Sequence, residues 1–174
     1  MPSTNCEDHL AYGASSRRLR YGSNVTADLT EEELRAWQAL LHAHHQVTRR
    51  LDVELVQEHG LSLPDYEVLL RLAKSPRSGI SMTELANRVL LTPSRLTRLL
   101  DRLVAEDLVV RWRSDIDARV MLARLTPSGR ERLRRAAKTH LRGIHDHFTG
   151  RLSADQLQQV ADALEAIVGP HQPH

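Results

Sequence analysis

Six side chains able to hydrogen-bond a polyanion crowd one short stretch: Thr92, Ser94, Arg95, Thr97, Arg98 and Arg102. Among them Leu96, Leu99, Leu100 and Leu103 recur at the three- and four-residue steps of a helix face. A guanidinium is a planar fork that pairs bidentately with guanine O6/N7 or with a phosphate, and hydroxyls bond base edges or phosphate oxygens. Residues 81–104, SMTELANRVLLTPSRLTRLLDRLV, read as two short helices joined by a tight connection. That layout is a helix-turn-helix, which places its second helix in the major groove of DNA. Base readout is assigned to Ser94, Arg95, Thr97 and Arg98, and phosphate positioning to Thr92, Arg102 and Arg113.

The surrounding elements must hold that helix. Thr92 is its N-cap with Pro93 at the first helical position, and Ser81 with Glu84 reads as a capping box for the helix before it. Past Glu106-Asp107 the apolar period shortens to two: Val110 and Trp112 alternate with Arg111 and Arg113, and Met121 to Leu125 return. This is a two-stranded hairpin over 109–125 with a charged tip, Ser114 to Arg119, placed as a wing. An arginine at such a tip suits a narrow minor groove, where A·T-rich DNA concentrates negative potential.

Upstream, Thr30 and Glu33 form a capping box for a long helix ending near His59-Gly60. Its stripe of Leu34, Trp37, Leu41, His44, Thr48, Leu51 and Leu55 is longer than one small domain needs, which predicts packing against a second subunit. Ser62 to Asp65 starts a second helix carrying Tyr66, Leu69 and Leu72. Thr126-Pro127 starts a fifth helix, expected to end at Gly150, and Ser153 with Gln156 a sixth, ending at Gly169-Pro170. The expected fold is mainly α with a small β wing: six main helices, dimeric, with 29–60 and 126–168 as dimerisation helices and 62–125 as the DNA-binding lobe.

Bulk properties agree with a globular protein. The 174 residues suit one domain with tails, and 41% hydrophobic and 26% charged residues are ordinary values. Residues 1–28 lack apolar periodicity and read as a flexible tail, with Arg17, Arg18 and Arg20 an incidental charged cluster or, in the sharper reading, a basic arm for DNA phosphates, and 169–174 as a short C-terminal tail. No apolar run approaches the roughly 20 residues of a membrane span, so the expectation is a cytoplasmic protein with no membrane partner. The net charge of +2 hides an asymmetry: Arg111 to Arg142 holds ten Lys/Arg against three acidic residues. Such a segment favours a polyanionic partner, although a solvated helix face has the same composition.

These residues resemble the MarR (multiple antibiotic resistance regulator) family of bacterial repressors. The most specific segment is SDIDARVMLARLTPSG, 114–129, similar to the family's wing signature of Asp, one residue, Arg, then a strand ending Leu-Thr-x-x-Gly. Asp117, Arg119, Leu125, Thr126 and Gly129 fall on it, and 84–103 matches the helix-turn-helix. The resemblance covers about Leu29 to Val168. It implies a homodimeric winged helix-turn-helix repressor on an inverted-repeat operator of double-stranded DNA, released by a small aromatic or phenolic effector. Arg119 would be the minor-groove arginine, oriented by Asp117. Many members carry a basic residue just before this arginine, where Ala118 stands here.

His42 with His45, and His140 with His147, fall on shared helix faces, and some members of the family sense zinc, so a zinc-sensing regulator is the alternative reading. No carboxylate or thiolate ligand completes either pair, and no metal or other cofactor is expected. Cys6 lies well before the position used by peroxide-sensing members. Trp37, His44 and Tyr66 are the candidates for lining an effector pocket, with packing the plainer role. A phosphate-binding Gly loop, a nucleophile elbow and a paired-carboxylate site are all missing, so no catalytic residue is expected. A winged helix used only for protein contact would not need the arginine-laden face.

Overall fold

A computed structural model describes residues 29–76, 78–89 and 91–169. Cys6, the Arg17, Arg18 and Arg20 cluster, Leu90 in the expected turn and Pro170 lie outside the described residues. The chain divides into two compact units, Met1–His44 and His45–His174. No helix among the described residues is long and apolar enough to cross a membrane.

The first unit holds the start of α1 (Glu31–His59). Its capping box forms: the Thr30 N–H donates to Glu33 Oε2 at 2.7 Å and the Glu33 N–H to Thr30 Oγ1 at 3.2 Å. Trp37, Leu40 and Leu41 are all exposed on this segment.

In the second unit α1 changes character, since Leu51 and Leu55 are buried. Gly60, at φ +65°, turns the chain out of the helix, where a side chain would be strained, and delivers Leu61 to the core. Ser62 caps α2 (Leu63–Ala73), with Asp65 closing the box. Then come β1 (Ile80–Ser81), α3 (Met82–Val89), α4 (Pro93–Ala105), β2 (Val109–Arg113), β3 (Met121–Leu125), α5 (Pro127–His147), a 3₁₀ turn Thr149–Arg151, and α6 (Ala154–Val168). The core gathers Leu55, Leu69, Leu85, Leu96, Leu100, Leu103, Leu108 and Ala123, none more than 2% exposed. Each such leucine contributes about 1.5–3 kcal/mol of burial energy.

The sheet has three antiparallel strands in the order β1-β3-β2, so β3 is central. Ile80 pairs with Ala123, and β2 pairs with β3 from Val109↔Leu125 to Arg113↔Met121. The hairpin was expected and the third strand was not. Ser81 therefore both pairs with Leu122 and caps α3, accepting from the Glu84 N–H at 3.2 Å. The Glu84 carboxylate bonds Arg88 at 2.6 Å instead of returning to Ser81, so the expected reciprocal box forms only by half.

The end of α5 also differs from expectation. It stops at His147, with Phe148 as the C-cap, and Gly150 sits inside the 3₁₀ turn. A Cβ on Gly150 would stand 2.8 Å from the His145 carbonyl oxygen, so glycine serves a close approach there. The α6 box of Ser153 and Gln156 forms as expected, and no residue of α6 is buried.

Candidate nucleic-acid interface

The helix-turn-helix is built by two amphipathic helices. α3 buries Leu85, Ala86 and Val89, and the Leu91 N–H closes the turn on the Ala86 carbonyl at 3.3 Å. Thr92, in extended backbone, accepts from the Arg95 N–H at 3.4 Å, and Pro93 follows. α4 then buries Leu96, Leu99, Leu100 and Leu103. Thr92, Ser94, Arg95, Thr97, Arg98 and Arg102 are all exposed, so one element presents them together. The Thr97 hydroxyl donates to the Pro93 carbonyl at 2.9 Å, which leaves its lone pairs to accept from a donor outside the helix. Arg95 and Arg98 have no hydrogen-bond or ion-pair partner for their guanidinium groups among the described residues.

Arg102 differs from those two. Its guanidinium is hydrogen-bonded to Oδ1 of Asp65 on α2, a carboxylate only 2% exposed. The neighbouring Asp101 takes an ion pair from Arg111 on β2. Neither aspartate figured among the residues expected to matter. Asp65 was legible only as a helix start, because its ion-pair partner Arg102 lies 37 residues further along the chain.

The wing is braced from within. Arg113 Nη1 donates to the Ala118 carbonyl at 2.8 Å, and the Ser114 N–H to the Val120 carbonyl at 2.8 Å. Arg113 thus ties the two sides of the tip. The Asp117 carboxylate accepts from the Arg119 backbone N–H at 3.0 Å, whereas the Arg119 Nε lies 3.7 Å away, beyond hydrogen-bond reach. Asp117 therefore shapes the turn that carries Arg119 more than it grips the guanidinium. The Arg119 side chain is 95% exposed. Arg124 stacks over the Trp112 ring at 5.2 Å on the outer face of the wing.

The base of the wing explains the Leu-Thr-x-x-Gly part of its signature. The Thr126 N–H donates to the Leu108 carbonyl at 3.1 Å and its hydroxyl to the Asp107 carbonyl at 2.6 Å. The Thr126 hydroxyl oxygen also accepts from the Gly129 N–H at 2.9 Å. A Cβ at Gly129 would lie 2.0 Å from the Leu108 carbonyl oxygen. Only glycine lets α5 approach the strand entry this closely.

Of the effector-pocket candidates, Trp37 and His44 are exposed on α1. Tyr66 is 4% exposed and its ring stacks on His140, with centroids 4.3 Å apart. Burial pushes the Tyr66 phenol up and holds the His140 imidazolium below its ordinary range. His59 is pushed down chiefly by burial. Thr139 donates its only hydroxyl proton to Glu58 Oε2 at 2.8 Å, so His59 Nε2–H donates to Thr139 Oγ1, also at 2.8 Å. His147 Nε2 bonds Glu54 Oε1 at 2.6 Å. No group of three or more His, Cys, Asp or Glu side chains among the described residues could hold a metal ion.

A helix-turn-helix followed by a hairpin wing, with free guanidinium groups on the second helix, defines a winged-helix DNA-binding protein. Comparison with known proteins narrows the class. The model of the MarR family matches residues 59–119. The HTH-type transcriptional repressor Rv2887 of Mycobacterium tuberculosis is 32% identical over 108 residues, covering 62% of this chain and 76% of that protein. The homoprotocatechuate degradative operon repressor of Escherichia coli is 26% identical over 114 residues, 66% of this chain and 75% of that one. Among solved structures, Sco3205, a MarR family transcriptional regulator from Streptomyces coelicolor in complex with DNA, superposes with a TM-score of 0.75 at 32% identity, over 83% of this chain and 94% of that one. The chain belongs to the MarR family of winged helix-turn-helix transcriptional regulators.

Proposed function

We propose that the protein represses transcription by binding an inverted-repeat operator as a homodimer, with base readout by Ser94, Arg95, Thr97 and Arg98. The observation that carries this reading is the pair of exposed guanidinium groups of Arg95 and Arg98, without a partner among the described residues, on a helix whose other face is buried leucine. In a dimer, two α4 helices would enter successive major grooves about 34 Å apart. Arg119 at the fully solvated wing tip would reach the flanking minor groove, and Thr92 would bond a phosphate. The relative solved with DNA supports the partner, and the apolar side chains left uncovered on α6 support the dimer.

Release by a small aromatic acid is the finer part of the proposal. The family resemblance suggests it, and the similarity to a repressor named for homoprotocatechuate supports it. The test is a gel shift on the region upstream of the protein's own gene, repeated across salt and with homoprotocatechuate-like acids. A specific shift that weakens linearly on a log–log salt plot, by about 0.9 per phosphate contacted, is expected. Equal binding to any duplex would overturn the operator reading, and no response to the acids would remove the effector class. By linkage, a ligand that lowers DNA affinity must itself bind the DNA complex more weakly by the same factor.

A further inference from the structure

Capping does not explain why Asp65 is buried. The equivalent carboxylate and amide in the boxes of α1 and α6, Glu33 and Gln156, do the same work while exposed. Asp65 has both oxygens engaged: Oδ2 accepts from the Ser62 N–H at 2.9 Å and the Ser62 hydroxyl at 2.7 Å, and Oδ1 from Arg102. A carboxylate withdrawn from water is tolerated only when paired and fully hydrogen-bonded. The pair ties α2 to α4 across 37 residues of sequence.

The tie lands where it controls aim. Arg95, Arg98 and Arg102 stand at i, i+3 and i+7, one face of α4. Side-chain tips on a helix lie roughly 6 Å from its axis, so a roll of about 10° shifts a guanidinium by about 1 Å. That displacement is enough to lose bidentate geometry. Asp101, the residue beside Arg102, holds Arg111 on β2, so α4 is tethered to the scaffold on one side and to the wing on the other.

We propose that Asp65 is a positioning residue for DNA readout: it holds Arg102, and through Arg102 the roll of α4, so that Arg102 serves aim and does not contact phosphate. This rests on the reading that α4 faces the operator. The two readings of Arg102 predict opposite signs. If Arg102 were a phosphate contact, removing the negative charge of Asp65 would raise affinity for every duplex. If Asp65 sets the aim, removal lowers affinity for the operator alone.

The experiment measures fluorescence anisotropy of the full chain on the upstream duplex and on a scrambled duplex, across potassium chloride concentrations. For Asp65→Asn we expect a tenfold or greater loss on the upstream duplex, scrambled-duplex affinity within twofold of the parent, and an unchanged salt slope. Arg102→Lys keeps the charge but loses the fork, and the same selective loss is expected, which covers the case in which Asp65→Asn fails to fold. Circular dichroism of each variant confirms that the folded protein is being compared. A gain on both duplexes, an equal loss on both, unchanged binding, or a salt slope shallower by about 0.9 for Arg102→Gln would each overturn the proposal. A parent protein that binds the upstream and scrambled duplexes alike would overturn the readout reading as well. Parent selectivity with unaltered variants would overturn the positioning role alone.

Discussion

Arg95 and Arg98 leave α4 without a partner among the described residues, whereas Arg102 and Arg113 are engaged within the chain, so in the proposed function residues of one type in one basic region divide into readers and braces. Arg95→Ala should therefore cost about 1–3 kcal/mol on the operator and relax discrimination at one base position, as expected when a bidentate base contact is lost. A binding series over single-base operator variants reads this out, and an equal loss on operator and random DNA would move Arg95 to the phosphates. Gly129 is a steric position of a different kind. With a Cβ brought to 2.0 Å from the backbone oxygen of Leu108, neither side can yield cheaply. Gly129→Ala should lower the unfolding free energy by about 3 kcal/mol or more. Urea unfolding followed by circular dichroism checks it, and a change under 1 kcal/mol would mean that α5 and the strand entry can move apart.

Helix starts were legible in the sequence because capping is local chemistry. Thr92-Pro93, Thr126-Pro127 and the Ser153/Gln156 box each open a helix within a residue of where the side chains imply. The features that escaped depend on distant partners. β1 is two residues long and exists only through β3, some 40 positions later, and the ion pair of Asp65 needs Arg102 of α4. Among the site residues, the exposed face of α4 could be read from spacing, but the engagement of Arg102 could not. Contacts between elements also set the response to pH. The imidazoles of His140, stacked on Tyr66 of α2, and His59, bonded to Thr139 of α5, are both held below the ordinary value of 6.5 by burial. Both states are neutral well above pH 6.5; below it the unfolded chain takes up protons that the fold refuses. Stability should thus be full above about pH 6.5 and fall as the pH descends through the lowered folded values. Glu58, held below its ordinary 4.5 by the Thr139 hydroxyl and Arg142, adds a loss only in a separate, more acidic window. Urea midpoints from pH 7.5 to 5.5 should decline, and His140→Phe, which keeps a ring against Tyr66, should flatten part of the decline. An unchanged slope in that variant would exclude His140 as a source. For the wing, Arg119→Ala should weaken binding most on operators with A·T-rich flanks, because the narrow groove strengthens the attraction that this side chain loses. Anisotropy on flank-swapped duplexes separates this from a flank-independent phosphate contact.

At the scale of the whole molecule, apolar surface stands exposed among the described residues. No residue of α6 is buried, and Ile167 and Val168 are 74% and 79% exposed, with Leu164 at 38% and Leu141 on α5 at 64%. A helix whose apolar stripe stays half-buried or exposed among the described residues is stable in water chiefly when another surface closes over it. In the proposed function that surface belongs to a second copy, and an isologous pair applies each substitution twice. Ile167→Glu places two carboxylates in the proposed seam, where removal from water without partners is costly. The variant should sediment as a monomer at concentrations where the parent is a dimer, with the buried core intact because α6 supplies none of its residues. Operator affinity should then fall at least tenfold, since one half-site replaces two, while affinity for random DNA changes little per subunit. A dimeric Ile167→Glu with parental operator binding would show that the stripe on α6 lies outside the interface. A monomeric variant that kept full operator affinity would show instead that a single winged head suffices for recognition, and the inverted-repeat reading would fall with it.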